Sequence, residues 1–238
     1  MTARSTSRFT WLGHGTFLVT SPKGKTILLD PWVAGNPACP EKAKKLEGLD
    51  YMLITHGHFD HVGDAIELAR HFCPTVVCNF EVGQWLQSKG CQNVVTMNKG
   101  GTVHLGEIQV TMVDARHSSS ISDGAHLLYG GEAAGFVVRL ESGFVFYFSG
   151  DTSVFGDMSL IRDLYRPELA CLGIGDHYIM SPMEAAYACR LLGIKKVIPM
   201  HFGTFPVLSG TPEALAEKVK DLKVEVLSLA PGGSVDVE

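Results

Sequence analysis

The apolar run Tyr51-Met52-Leu53-Ile54 passes straight into Thr55-His56-Gly57-His58-Phe59-Asp60-His61. Three imidazoles and a carboxylate so close together suit neither an apolar core nor a solvated loop, since buried polar groups need partners. They suit a cation, because neutral imidazole nitrogen and carboxylate oxygen are ligands of the zinc type. The apolar run reads as a buried strand, so the cluster is delivered at a strand end. Alternate side chains of an extended segment share a face, which lets His56 and His58 point the same way. Asp60 and His61 fall where the chain turns into a helix and can serve a second position nearby. This is more than the three protein ligands that a catalytic zinc usually takes. The surplus argues for two ions, which in such sites lie roughly 3.5–4 Å apart.

Two ions need ligands from elsewhere, and the ends of other strands are where loops gather. His117 follows the run 107–113, Asp151 follows 144–149 and His201 follows 196–199. Each alone has a plainer explanation: a polar loop residue, a turn residue after Gly150, a hydrogen-bonded core histidine. Asp60 alone would serve as a helix N-cap. The cluster at 56–61 has no such explanation, and the joint order of all seven points to metal.

The rest of the chain reads as strands alternating with helices. Strands are expected at 8–12, 16–20, 26–30, 51–55, 75–78, 94–96, 102–105 and 107–113. Further ones are expected at 135–141 and 144–149, a hairpin around Ser142-Gly143, and at 169–172, 196–199 and 224–229. Helical spacing marks 62–72, 81–89 (closed by Gly90) and 157–164. Ser181-Pro182-Met183-Glu184 is a capping box opening a helix to about Leu192, and Thr211-Pro212 opens another. Residues 117–135 read as a long Ser- and Gly-rich loop. Ile121, Leu127, Leu128 and Tyr129 within it suggest an apolar wall beside the metals. No linker or repeat divides the chain. The expectation is one α/β domain over 1–238, with two sheets covered by helices.

Composition narrows the functions. The formal net charge is −5, and the basic run Lys42-Ala43-Lys44-Lys45 reads as a solvated helix face, so nucleic acid is not an expected partner. No apolar run approaches membrane-spanning length, and residues 1–8 carry no apolar segment of the secretory kind. Six scattered cysteines without a Cys-x-x-Cys pair read as buried reduced thiols of a cytoplasmic protein.

His-x-His-x-Asp-His followed by His117, Asp151 and His201 resembles the metallo-β-lactamase superfamily. The resemblance implies a four-layer αββα sandwich with metals at one edge between the sheets. It implies that His56, His58 and His117 hold one ion, that Asp60, His61 and His201 hold the other, and that Asp151 bridges. Asp30, in Leu28-Leu29-Asp30-Pro31, matches the superfamily's early aspartate, which buttresses the site without ligating. Trp11-Leu12-Gly13-His14-Gly15-Thr16, Gly175-Asp176-His177-Tyr178 and Pro199-Met200-His201-Phe202-Gly203-Thr204 resemble the small cytosolic metal-dependent hydrolases related to ascorbate-6-phosphate lactonase.

The function expected is a dinuclear metal-dependent hydrolase, zinc being the first choice and manganese, iron or nickel the alternatives. Its nucleophile would be a metal-bridging hydroxide, oriented by Asp60, acting on a small ester, lactone, amide or phosphodiester. His14, in a Gly-flanked turn, is a candidate donor to an oxyanion or leaving group. His177 is a candidate substrate contact, with loop bracing as the alternative. An oxidoreductase of the mono-iron dioxygenase type and a non-catalytic metal binder are the rival functions. Assembly into a homo-oligomer is left open, because no segment identifies an interface.

Overall fold

The computed structural model describes residues 6–238. The reading of residues 1–5 as part of a leaderless N-terminus lies outside the described residues. Two seven-stranded mixed sheets face one another, and helices cover their outer faces.

The first sheet begins as an antiparallel meander of β1 (Ser7–Gly13), β2 (Thr16–Thr20) and β3 (Thr26–Leu29). It continues in parallel through β4 (Tyr51–Leu53), β5 (Thr75–Asn79) and β6 (Val94–Met97). The connections carry α1 (Phe59–Val62), α2 (Ala65–Phe72) and α3 (Phe80–Ser88). The expected single helix over 62–72 is therefore two short helices. Gly63 and Asp64 separate them, and Asp64 accepts the N–H groups of Val33 and Ala34, tying down the loop after β3.

The second sheet repeats the plan. Antiparallel β7 (Thr102–Leu105), β8 (Ile108–Asp114), β11 (Ala134–Arg139) and β12 (Val145–Phe148) come first. Between β8 and β11 the expected loop holds a small hairpin of its own, β9 (Ser120–Asp123) with β10 (His126–Tyr129). Then α4 (Met158–Tyr165), β13 (Leu169–Gly173), α5 (Pro182–Leu192), β14 (Lys196–Met200) and α6 (Pro212–Val219) alternate. The last expected strand is reduced to β15 (Glu225–Val226). The chain then crosses to the first sheet, where β16 (Ser234–Val237), missing from the sequence reading, pairs antiparallel with β1.

Alternation along the strands explains the layers. Phe9, Trp11, Phe17 and Val19 face Phe136, Phe146, Phe148 and Met200 in the central core. The intervening residues Leu28, Met52 and Val76 pack under α2 and α3 through Ala65, Ala69, Val82 and Leu86. Val137, Tyr147, Ala170 and Val197 do the same under α4 to α6. Each fully buried large apolar side chain contributes about 1.5–3 kcal/mol. The capping box at Ser181 and Glu184 forms as read, and Thr211 caps α6 by accepting from the Ala214 N–H. All six cysteines are free; five are buried, while Cys73 is exposed at the left-handed end of α2. Among the described residues no helix is long and apolar enough to cross a membrane.

Candidate metal centre

The site lies where strands of both sheets end. Asp30 follows β3, and Thr55 to His58 follow β4, with Asp60 and His61 on α1. His117 follows β8, Asp151 follows β12 and His201 follows β14. β8 and β12 are each antiparallel to β11, so both deliver their C-terminal ends to the same edge.

All seven expected ligands converge there, in two groups. His56, His58 and His117 form one, and Asp60, His61 and His201 form the other together with His14; within each group one ligand atom per residue lies within 4.8 Å of the rest. Asp151 sits between them. Its Oδ2 is 3.6 Å from His117 Nε2, 3.3 Å from His61 Nε2 and 3.1 Å from His201 Nε2.

The buried atoms at the centre lack hydrogen-bond partners: His61 Nε2, both ring nitrogens of His201, and Asp151 Oδ1. Leaving such groups unsatisfied is costly in a protein interior. Burial alone would raise the Asp151 carboxyl, yet the rings of His201 and His61 hold it well below the usual range. Conversely, burial would depress His201 and His61. Asp151 overrides this, lifting His201 to about 9 and, with Asp30 and Asp60, lifting His61 well above a normal imidazole. The carboxylates thus call for positive charge at their centre. A donor set of imidazoles and carboxylates with these inward atoms left unpaired fits divalent cations of the zinc type.

A second ring of contacts aims these ligands. Asp30 is fully buried. Its Oδ2 accepts from the Thr55 hydroxyl at 2.7 Å and pairs with His61 Nδ1 at 2.7 Å, while Oδ1 accepts the Thr55 N–H at 2.8 Å. The Thr55 hydroxyl, its proton given to Asp30, accepts from His56 Nδ1 at 2.9 Å. One carboxylate therefore orients His61 directly and His56 through Thr55, leaving His61 Nε2 toward the centre and His56 Nε2 3.0 Å from His58 Nδ1. Asp30 takes the buttressing position that the resemblance implied for it.

His14 is closer to the centre than a peripheral donor would be. It is fully buried, and its Nε2 lies 2.8 Å from Asp60 Oδ2. Burial pushes it down to about 4, so it is neutral and donates to that carboxylate. Its carbonyl accepts the His201 N–H at 2.9 Å, joining the β1–β2 turn to the end of β14. His14, Asp30 and His201 all occupy the left-handed region, at φ 54°, 48° and 57°. Such backbone costs of order 1–3 kcal/mol per residue and persists only where its surroundings enforce it.

His177 is exposed and is absent from the cavity lining; its neighbour Tyr178 is there instead. The cavity over the candidate ligands measures about 520 Å³. Its lining includes the hydroxyl side chains Ser118, Ser120 and Ser122 and the apolar or aromatic side chains Phe59, Tyr178, Phe205 and Val207. The expected apolar wall from 117–135 is not found. Ile121 is buried in the core under the first sheet, and Leu127, Leu128 and Tyr129 are exposed and away from the lining. The hairpin alternates, so inward Ile121 and Ser119 put Ser118, Ser120 and Ser122 on the cavity side. That alternation was the available signal for the serines; nothing local marked Thr55, Tyr178 or Phe205.

The family model of the beta-lactamase superfamily domain matches residues 25–202. A UPF0173 metal-dependent hydrolase of Koribacter versatilis is 56% identical over 225 residues, covering 94% of this chain and 96% of its own. A UPF0173 metal-dependent hydrolase of Methanopyrus kandleri is 42% identical, covering 96% and 99%. Among solved structures, Igni18, a metallo hydrolase of Ignicoccus hospitalis, superposes with a TM-score of 0.87 at 32% identity, covering 98% and 99%. Because the family model matches most of the chain and the relatives match nearly all of it, the protein belongs to the UPF0173 metal-dependent hydrolases of the metallo-β-lactamase superfamily.

Proposed function

We propose that this protein holds two divalent cations, zinc in the first instance, and hydrolyses a small ester, lactone or phosphodiester. The reading is carried by Asp151, whose one carboxylate lies between two groups of inward-facing ligands. His56, His58 and His117 would hold one cation and Asp60, His61 and His201 the other, with Asp151 shared.

When bound, such cations lower the pKa of water to about 7 and polarise a substrate oxygen. Asp60 is then the base. Its Oδ2 is fixed by His14, and the residue lines the cavity, where its carboxylate would receive the proton of the attacking water. The water oxygen bonds to the acyl or phosphoryl centre, the bond to the leaving oxygen breaks, and Asp60 returns the proton to that oxygen. His14 is a positioning residue here: buried and neutral, it acts through Asp60. His177 has no part in this scheme.

The test is a panel of ester, lactone, phosphodiester and β-lactam reporters with zinc-loaded protein. Wild type should turn over at least one of the first three, and His58→Ala should lose metal and turnover together. Full turnover by metal-free Asp151→Ala protein would overturn the reading. His14→Gln should lower kcat about 100-fold, the low end of general-base effects, while leaving KM and bound metal nearly unchanged; equal kcat would remove His14 from the scheme.

A further inference from the structure

The β9–β10 hairpin ends in a strand edge without a neighbour, since its sheet has only these two strands. The Gly130 N–H donates to the Ser119 carbonyl at 3.1 Å, which makes that a hydrogen-bonded pair. Such pairs alternate along an antiparallel ladder. The register sets Leu128 opposite Ile121, Leu127 opposite Ser122 and Tyr129 opposite Ser120. Leu127 and Tyr129 therefore turn their N–H and C=O groups outward, where no described residue meets them. Their side chains are bare as well: Leu127 is 73% exposed, Tyr129 70% and Leu128 39%. A free edge templates pairing with another chain and is ordinarily guarded by lysine, another charge or proline. The segment from Gly124 to Gly131 contains no lysine, arginine, carboxylate or proline.

The edge is also held in place before anything docks on it. Ser119 Oγ accepts the Gly57 N–H and donates to the Gly130 carbonyl, which Asn79 Nδ2 also reaches at 2.8 Å. Lys89 holds Asp123 beside the turn at 2.7 Å.

We propose that β10 pairs antiparallel with β10 of a second copy of this chain, about a two-fold axis at Leu128. Leu127 then exchanges both backbone bonds with the partner's Tyr129, so every outward group of the edge is satisfied at once. Leu127 packs beside the partner's Tyr129 on one face, and Leu128 meets the partner's Leu128 on the other. Two chains of net charge −5 repel at a distance. This contact nonetheless brings no like charges together, because Asp123 is held by Lys89 and Glu132 by Lys99. Leu127 and Tyr129 share a face with Ser122 and Ser120, which line the cavity, so the second copy sits beside the mouth of the candidate site. A four-residue strand falls short of the roughly 800 Å² per partner of a standard interface, so the pairing depends on concentration.

Sedimentation velocity and cross-linking test this. At about 100 µM wild type should reach at least twice the chain mass. Leu128→Lys, which sets two ammonium groups opposite one another on the axis, should halve that mass. Cross-linking uses a Cys73→Ser background, which removes the exposed thiol. There diamide should join Leu128→Cys into a disulfide-linked dimer, since opposed residues of a non-hydrogen-bonded pair lie about 4.5 Å apart at Cα. Leu127→Cys, out of step with its own copy in this register, should stay largely unlinked. Wild type of single-chain mass at about 100 µM would overturn the inference and leave the edge to a foreign strand. So would an assembly unchanged in Leu128→Lys, linking at 127 as readily as at 128, or linking at neither.

Discussion

Asp30 shows how much of the centre depends on a side chain outside the expected ligand set. It spends both oxygens on Thr55 and His61, and through Thr55 it also holds His56. One candidate ligand of each group is therefore aimed by one buried carboxylate. Asp30→Asn keeps the shape but puts an amide where two donors converge. It should weaken zinc binding about 10–100-fold, the usual cost of losing such a partner. Competition with a chelating dye reads this, and unchanged affinity would show that the ligands aim themselves. At this scale the sequence was most legible. Candidate ligands sit at strand ends and cluster by type, so the seven residues that the structure brings together could be named. Their orientation could not, because that of His56 and His61 depends on Thr55 and Asp30. His14 reached the carboxylate of Asp60 through a tertiary contact that no spacing announces.

At the scale of elements, the β9–β10 hairpin sets the geometry. Gly57 lets it approach, because any side chain there would meet Ile121 and the Ser120 carbonyl. Gly57→Ala should destabilise the protein by about 1–3 kcal/mol through overpacking. Ile121→Ala, which empties part of the core under the first sheet, should cost about 2–5 kcal/mol. Because the two side chains would compete for the same space, the double variant should lose less than the sum, by at least about 0.5 kcal/mol. Urea denaturation of the four proteins measures it, and strict additivity would show that the contact is relieved elsewhere. The hairpin was read as a loop because each strand has only four residues, β9 is mostly polar, and the apolar residues of β10 are consecutive and exposed, so no alternating pattern marks it. The division of the 62–72 helix was hidden likewise: Gly63 and Asp64 bend the chain so that Asp64 can hold the loop after β3.

For the whole molecule, the layers followed from local pattern, but the closing strand did not. β16 pairs with β1 across nearly the full length of the chain, and short alternation such as Ser234-Val235-Asp236-Val237 carries little weight by itself. The same long-range closure builds the centre. The first sheet's segments bring His56, His58, Asp60 and His61, while the second sheet's bring His117, Asp151 and His201. Each cation would thus be held by both sheets at once. Metal stoichiometry tests this most directly, by titrating zinc into metal-free protein and counting bound equivalents with atomic spectroscopy after gel filtration. Two equivalents per chain are predicted for wild type, falling to one in His117→Ala and in His201→Ala. A single equivalent in wild type would contradict the account.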